Sequence, residues 1–122
     1  MSLPDFLVFG AANCASSFLH RNLNEHPDIY MISGEPREAC YFEDYEYSKY
    51  SFDIIIKAFE NIDDNKVLGF KRPTYINRPQ SAPRIKKHLP DIKLIAVLRN
   101  PMERAVTSYF HHMQENFSRL RK

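Results

Sequence analysis

The stretch FLVFGAANCASSFLHRNL, at residues 6–23, decides the fold of this chain. The short apolar run at residues 6–9 ends at Gly10 and predicts a buried strand. Small residues follow at residues 11–17, and residues 18–23 have the apolar spacing of a helix. A strand, a small-residue loop and a helix form the arrangement that binds phosphate-like anions, because backbone N–H groups and the positive end of the helix face the ligand.

The residues of this loop leave two interpretations open. In the first the loop binds an anion, and in the second it is a plain strand-to-helix turn in which Ser16 or Ser17 caps the helix. A Walker A loop of a nucleoside triphosphatase is disfavoured, because that pattern would need Gly at Ala15 and Lys at Ser16. Other segments of the chain must decide between the two interpretations.

Strands and helices alternate along the rest of the chain. Apolar runs predict further strands at residues 29–32, 67–70 and 92–98. Helical spacing predicts helices at residues 51–60, with Ser51 as the cap, and at residues 83–89. This alternation favours a single α/β domain at residues 1–122, with a mainly parallel sheet flanked by helices in three layers, as in P-loop-like folds.

The last predicted helix has the clearest start. Asn100 is a typical cap residue, Pro101 stands at the first helical position and Glu103 at the third. Apolar side chains then recur at helical spacing, and they are Ala105, Val106, Tyr109, Phe110, Met113, Phe117 and Leu120. This stripe is predicted either to join the core or to contact a further part of the domain.

Length and composition exclude several classes of protein. The 122 residues suit one domain, and 43% hydrophobic residues with 13% aromatic residues can form a core. The 17 basic and 15 acidic residues give a net charge of +2, which is too balanced for a dedicated nucleic-acid binder. The apolar runs are far shorter than the roughly 20 residues of a membrane span, and no secretory signal is visible. A cytoplasmic location is therefore expected.

The sequence predicts no metal site. Cys14 and Cys40 are too few for a zinc site without other ligands, and an unsecreted chain keeps both thiols reduced. His111 and His112 are adjacent on the last predicted helix and would point about 100° apart, so we interpret them as surface or interface residues. The acidic stretch at residues 43–46 is predicted to be a solvated loop.

Four segments, taken in order, carry a resemblance to a known family. Residues 4–29 form the strand–loop–helix unit, residues 37–42 read REACYF, residues 69–75 read GFKRPTY, and residues 98–105 read LRNPMERA. The last three are similar to the KE-x-x-FF, EK-x-P-x-Y and LR[DN]P-x-ER segments of the PAPS-dependent sulfotransferases, particularly their bacterial and heparan-sulfate-type branch. The resemblance covers essentially the whole chain, which would then hold the N-terminal half of that family's domain.

The resemblance implies transfer of a sulfuryl group from 3′-phosphoadenosine-5′-phosphosulfate (PAPS) to a hydroxyl or amine of a carbohydrate or small-molecule acceptor, without a metal. It implies that the 5′-phosphosulfate lies against the loop residues Ala12, Asn13, Cys14, Ala15, Ser16 and Ser17. Asn13 stands where the family has a catalytic lysine, so one positive charge is expected to be missing there. Arg99 and Thr107 match the arginine and hydroxyl residue that bind the 3′-phosphate.

Two more residues are implied in catalysis. Glu38 corresponds to the family's proposed general base, because a carboxylate can accept the proton of an acceptor hydroxyl. Lys71 matches a lysine near the transferred group, where its charge could partly replace the one missing at Asn13. The plainer alternatives are a surface salt bridge between Arg99 and Glu103 and solvated positions for Glu38 and Lys71.

Two functions remain open at this point. The first is a sulfotransferase, which the retained arginine, lysine and hydroxyl residues favour. The second is a truncated, non-catalytic member of the family that binds a nucleotide, or binds only a partner through the exposed face of its last helix. The neutral side chain of Asn13 favours the second function. Incomplete burial of apolar surface would also lead to self-association.

Overall fold

A parallel sheet of four strands lies at the centre of the molecule. The computed structural model describes residues 3–32 and 41–120. Its strands are β1 (Phe6–Gly10), β2 (Ile29–Met31), β3 (Val67–Lys71) and β4 (Lys93–Ala96). They lie in the order β2-β3-β1-β4, and each neighbouring pair is parallel. The prediction of an α/β fold with a mainly parallel sheet is confirmed.

Five α-helices connect and follow these strands in the described part of the chain. They are α1 (Ser16–Glu25), α2 (Asp44–Lys49), α3 (Asp53–Ala58), α4 (Ser81–His88) and α5 (Pro101–Leu120), with a 3-10 turn at Tyr75–Asn77. The predicted start of the last helix is confirmed, because Asn100 Oδ1 accepts hydrogen bonds from the N–H groups of Met102 at 2.9 Å and Glu103 at 3.4 Å.

Helices cover both faces of the sheet. Alternate residues of β1 point to opposite faces, so they pack against different helices. Phe6 and Val8 pack with Leu19 of α1 on one face. Leu7 joins a larger cluster on the other face, and that cluster includes Ile85 of α4. The three layers predicted from the sequence are therefore present: α1, the sheet, and the group formed by α3 and α4.

The larger cluster is rich in aromatic rings. Phe42 and Phe70 are completely buried in it, and full burial of such a side chain contributes about 1.5–3 kcal/mol. His88 lies beside these rings and stacks on Phe52, with 4.7 Å between the ring centroids. Burial in this environment, together with the positive charge of Lys87, lowers the pKa of His88.

The predicted cap of the third helix is wrong. The sequence predicts a helix at residues 51–60 that Ser51 caps, whereas α3 begins at Asp53 and has no side-chain cap. The Ser51 hydroxyl donates to the Asp53 carboxylate at 3.3 Å instead. Phe52 occupies the cap position with a helical backbone, φ −61° and ψ −16°, so Ser51 lies one residue too early to cap α3.

The acidic stretch at residues 43–46 is also different from its prediction. It is not a solvated loop, because Asp44 begins α2 and the side chains of Glu43 and Glu46 are only 18% and 15% exposed. Arg72, which follows β3, contacts both carboxylates. The charge of Arg72 offsets part of the cost of taking these two carboxylates out of water.

The last strand and the last helix expose more apolar surface than a core element does. The sequence predicts a strand at residues 92–98, whereas β4 ends at Ala96 and all of its residues are exposed. No residue of α5 is buried, and the large apolar side chains of its stripe are between 42% and 83% exposed, from Met113 to Leu120. The stripe is therefore not part of the described core. None of the helices in residues 3–32 and 41–120 is both long and apolar enough to cross a membrane.

Candidate functional site

The β1–α1 loop, defined here as residues 10–17, leads from the carboxyl end of the central strand into the first turn of α1. Ala15 occupies the cap position of α1 in the left-handed conformation, with φ 64° and ψ 27°, and no side chain caps the helix. The interpretation in which Ser16 or Ser17 caps α1 is therefore wrong. Because the first N–H groups of a helix have no intrahelical partner, this loop presents backbone donors beside Ser17, whose side chain is exposed.

Helix α5 holds the loop from one side. Arg104 Nε donates to the carbonyl oxygen of Ala12 at 2.8 Å. Asn13 Nδ2 donates to Ser108 Oγ at 2.7 Å. Asn13 also has a left-handed backbone, with φ 60°, a conformation in which asparagine is enriched among residues other than glycine. These contacts attach the loop to α5 at Ala12 and Asn13. The other end of the loop leads into the first turn of α1.

Arg99 and Thr107, which the sequence assigns to one phosphate, lie in direct contact. Arg99 Nη1 donates to Thr107 Oγ1 at 2.9 Å and to the carbonyl oxygen of Asn13 at 3.4 Å. The alternative partner is also present, because Arg99 Nε lies 3.8 Å from Glu103 Oε2. That pair is substantially exposed, with side chains 39% and 67% accessible, so it contributes about 0–1 kcal/mol and leaves the guanidinium available to an anion.

Lys71 reaches the loop from the neighbouring strand. It is the last residue of β3 and pairs in register with Val8 of β1, so both strands bring their carboxyl ends to the same edge of the sheet. Its side chain is only 7% exposed, and Nζ donates to Ser17 Oγ at 3.3 Å. A buried ammonium group therefore lies beside the first turn of α1.

A cluster of charged side chains next to Lys71 was not found by sequence reasoning. Arg72 donates to both oxygens of Glu43 at 3.2 Å and to Glu46 at 3.1 Å, and the Thr74 hydroxyl also donates to Glu43. Burial alone would raise the pKa of Glu43, but the hydrogen bonds from Arg72 and Thr74 and the charges of Arg72 and Arg78 outweigh it and lower that pKa. The signal in the sequence was a basic residue directly after a strand, combined with an acidic run elsewhere.

The remaining predicted residues fall into two groups. Glu38, the expected general base, and Cys40 lie outside the described residues. His111 and His112 are exposed, and both lie near Glu115, at 3.4 and 3.8 Å. Across the described residues, no group of three or more His, Cys, Asp or Glu side chains could hold a metal ion.

One buried polar contact near the site also escaped the sequence analysis. His20 of α1 is 7% exposed, and its Nε2 forms a hydrogen bond with the carbonyl oxygen of Ile32 at 2.8 Å. The contact fixes α1 to the end of β2. A histidine within a helix gives no sequence signal that distinguishes such a buried role from a surface one.

Comparison with known proteins gives a consistent set of relatives, although no family model matches the chain. The membrane-associated sulfotransferase kil1 of Dictyostelium discoideum is 35% identical over 117 residues, which are 93% of this chain and 24% of that protein. Human heparan sulfate glucosamine 3-O-sulfotransferase 6 is 28% identical over 108 residues, which are 87% of this chain and 30% of that protein.

A solved structure shows the same relationship in three dimensions. The crystal structure of a sulfotransferase from Alicyclobacillus acidocaldarius superposes with a TM-score of 0.73 and 29% identity, and it covers 95% of this chain and 52% of its own. The chain thus spans about half of that structure and a smaller share of the curated relatives. The expected cytoplasmic location stays a prediction, and one relative is named membrane-associated. Over nearly its whole length, this chain therefore matches the sulfotransferases in both sequence and fold.

Proposed function

We propose that this protein binds PAPS and transfers its sulfuryl group to a hydroxyl or amine. The observation that carries the proposal is the contact of Arg99 with both Thr107 and the carbonyl of Asn13. It joins a guanidinium–hydroxyl pair to the β1–α1 loop, so two groups that can bind anions lie in one site. PAPS has phosphate groups at the 3′ and 5′ positions of one nucleoside, and it therefore needs such a pair.

The chain's own residues fit the 5′ end of such a ligand. The loop contains small side chains at Ala11, Ala12 and Ala15 and the exposed hydroxyl of Ser17, so a phosphate can approach the N–H groups of the first turn of α1. When bound, PAPS supplies an activated sulfuryl group whose leaving group is a phosphate. The loop would orient that phosphate and meet its charge with fixed donors, which is the main source of rate acceleration in transfer of this kind.

The 3′-phosphate is assigned to Arg99 and Thr107. A guanidinium can donate two parallel hydrogen bonds to phosphate oxygens, and the hydroxyl of Thr107 supplies a third donor from the second turn of α5. The existing 2.9 Å hydrogen bond between the two side chains keeps them together before the ligand arrives. Such preorganisation lowers the entropy that binding must offset.

For the acceptor we propose a carbohydrate hydroxyl or amine. The support is that one of the relatives, human heparan sulfate glucosamine 3-O-sulfotransferase 6, is named for a carbohydrate acceptor. Glu38 is proposed as the group that accepts the proton of the acceptor, because a carboxylate within hydrogen-bond reach of a hydroxyl can act as a general base.

Calorimetry with adenosine 3′,5′-bisphosphate tests the nucleotide site directly, with AMP and ATP as comparison ligands. We expect selective binding of the bisphosphate. Arg99→Ala should weaken it roughly 10- to 150-fold, the range that corresponds to losing a charged hydrogen bond of about 1.5–3 kcal/mol.

Arg119→Ala is the matched control, because it removes the same charge from an exposed position near the other end of α5. It should leave binding unchanged. A folded protein that does not bind the bisphosphate, or one in which both arginine variants lose affinity equally, would contradict the proposal.

A further inference from the structure

Helix α5 has one face attached to the domain and an opposite face in solvent. Arg104, Thr107 and Ser108 are partly buried, and the other residues of Pro101–Leu120 are exposed. These three side chains make the contacts with the β1–α1 loop and with Arg99. At about 100° per residue, they centre on the side of the helix opposite its apolar stripe. A partner that covers the stripe would therefore leave the β1–α1 loop open.

The stripe is wide, continuous and uncharged. Met102 lies on the same face and extends the stripe into the first turn of α5. Together these side chains occupy about 140° of the helix circumference. Among Pro101–Leu120, Asn116 is the one polar residue in this sector, and no charged residue lies in it. A continuous apolar surface of this kind indicates contact with another protein surface.

The exposed area of this face suits a small specific interface. Tyr109, Phe110 and Phe117 are between 59% and 62% exposed. Aromatic side chains bury about 150–250 Å² each, so these three could contribute roughly 300–450 Å² per copy. The aliphatic members, from Met113 at 42% to Leu120 at 83% exposed, add to this area. A specific interface buries roughly 600–1,000 Å² on each partner, so a partner must cover the whole face and not the rings alone.

The apolar positions of α5 have nearly the same order when the helix is read from either end. Three apolar pairs lie symmetrically about His111, at two, six and nine positions from it. They are Tyr109 and Met113, Ala105 and Phe117, and Met102 and Leu120. In an antiparallel pair of helices centred on His111, the members of each pair lie level with each other. A two-fold interface needs this symmetry, because one patch then contacts a copy of itself.

Two features favour the antiparallel orientation over the parallel one. Glu103 and Arg119 each lie eight positions from His111, so an antiparallel pair sets opposite charges level, whereas a parallel pair sets like charges level. The contacts with the β1–α1 loop also come from the first two turns of α5. Antiparallel packing therefore places the unattached half of each helix against the attached half of the other.

We propose that α5 is a homodimer interface, in which the stripe packs antiparallel against the stripe of a second copy of this chain. The net charge of +2 causes little repulsion between the copies. In a separate copy the far half of α5 stays exposed to water, and pairing covers it. The inference does not depend on the proposed function, because the nucleotide would bind on the other side of α5.

Sedimentation velocity of the wild type, from low to high micromolar concentration, tests the pairing. We expect a reversible monomer–dimer equilibrium with a dissociation constant in the micromolar range or tighter. The melting temperature should rise with protein concentration, because association stabilises the folded state by mass action.

Two variants with a matched control test the surface. Tyr109→Lys and Met113→Lys place a charge in the middle of the stripe, and each should weaken the dimer roughly 30-fold or more, as at a central interface residue. Both side chains are exposed in a separate copy, so the monomer should keep its helical circular dichroism spectrum. Gln114→Lys adds the same charge to the same part of α5 outside the stripe, and it should leave the dissociation constant unchanged.

A charge swap tests the orientation. Met102→Glu and Leu120→Lys should each weaken the dimer. The double variant should recover part of the loss, because an antiparallel pair sets each glutamate level with a lysine of the second copy. In a parallel pair the double variant would set like charges level and would dimerise less than either single variant.

Each result counts for or against the inference. A wild type that is monomeric at every concentration overturns it and assigns the stripe to a different polypeptide surface. Aggregates without a defined stoichiometry, or a dimer that Tyr109→Lys and Met113→Lys leave intact, also overturn it. A dimer that these two variants dissociate but that fails the charge swap supports the interface and overturns its antiparallel orientation.

Discussion

Replacing Ala15 by glycine should stabilise the protein. Ala15 is exposed and has φ 64° and ψ 27° at the cap of α1. The left-handed conformation costs an L-residue roughly 1–2 kcal/mol because of its Cβ atom, and glycine avoids that cost. The greater freedom of glycine in the unfolded chain takes back roughly 0.4–1 kcal/mol. The expected net gain in the free energy of unfolding is about 0.5–1 kcal/mol.

Urea unfolding of the two proteins measures this difference. The chain has 7 tyrosines and no tryptophan, so circular dichroism or tyrosine fluorescence can follow the transition. The gain should move the midpoint to higher urea without changing the slope, because the unfolded surface is the same. In thermal unfolding it corresponds to about 2–6 °C.

Ala58→Gly is the control, because it makes the same change at the last residue of α3. There glycine relieves no strain and should destabilise the protein by up to about 1 kcal/mol. The opposite signs of the two variants are the diagnostic result. If Ala15→Gly destabilises the protein as Ala58→Gly does, at equal slope, the left-handed cap at this position is refuted.

Three further substitutions test the packing and the charges described above. Burial and the charge of Lys87 depress the folded-state pKa of His88, so the unfolded state binds the proton first and the wild type loses stability as the pH falls below 6.5. His88→Phe should remove this loss. Glu43→Gln should lower stability at neutral pH and reduce its loss below pH 4.5, because the ionised carboxylate stabilises the fold above that value and the benefit disappears as the pH falls toward the depressed folded-state pKa. Gly69→Ala should destabilise the protein by about 1–3 kcal/mol, measured by thermal unfolding, because the new Cβ would overlap the ring of Phe6.

The variants of His88 and Glu43 have matched controls. His112→Phe and Glu60→Gln change the same residue types on exposed surfaces and should leave the pH dependence as it is in the wild type. The explanation for His88 or Glu43 is wrong if its variant follows the same stability–pH curve as the wild type. An unchanged melting temperature for Gly69→Ala would mean that Phe6 does not pack across β3.

The elements of the fold could be predicted where the signal is local. The apolar runs at residues 6–9 and 67–70 became β1 and β3, and Asn100 caps α5 through two neighbouring N–H groups. The exposure of β4 and α5 could not be predicted in this way. An apolar run has the same sequence whether or not another element covers it, so burial depends on tertiary contacts that periodicity does not contain.

Some contacts of the candidate site could likewise be predicted from the sequence, and others could not. The pairing of Arg99 with Thr107 was predicted from the resemblance, although Arg99 lies before α5 and Thr107 lies in its second turn. The hydrogen bond between Asn13 and Ser108 joins residues 95 positions apart, and the pairing of Arg72 with Glu43 spans 29 positions. Such partners are brought together by the tertiary fold. The sequence around one residue does not predict which distant residue it will contact.

The anchoring of α5 makes its stability uneven along its length. Its 20 residues extend about 30 Å, and the contacts with the β1–α1 loop come from its first two turns, at Arg104 and Ser108. Its large apolar side chains are exposed along the whole length, from Met102 at 80% to Leu120 at 83%, so these contacts and not burial distinguish its two ends. Because an unpacked helix of this length is only marginally stable in water, local opening should cost little at its far end and approach the global cost near Arg104. Amide hydrogen exchange along α5 should therefore form a gradient, and nucleotide bound at the loop would protect the first half of the helix while leaving the second half to exchange as before.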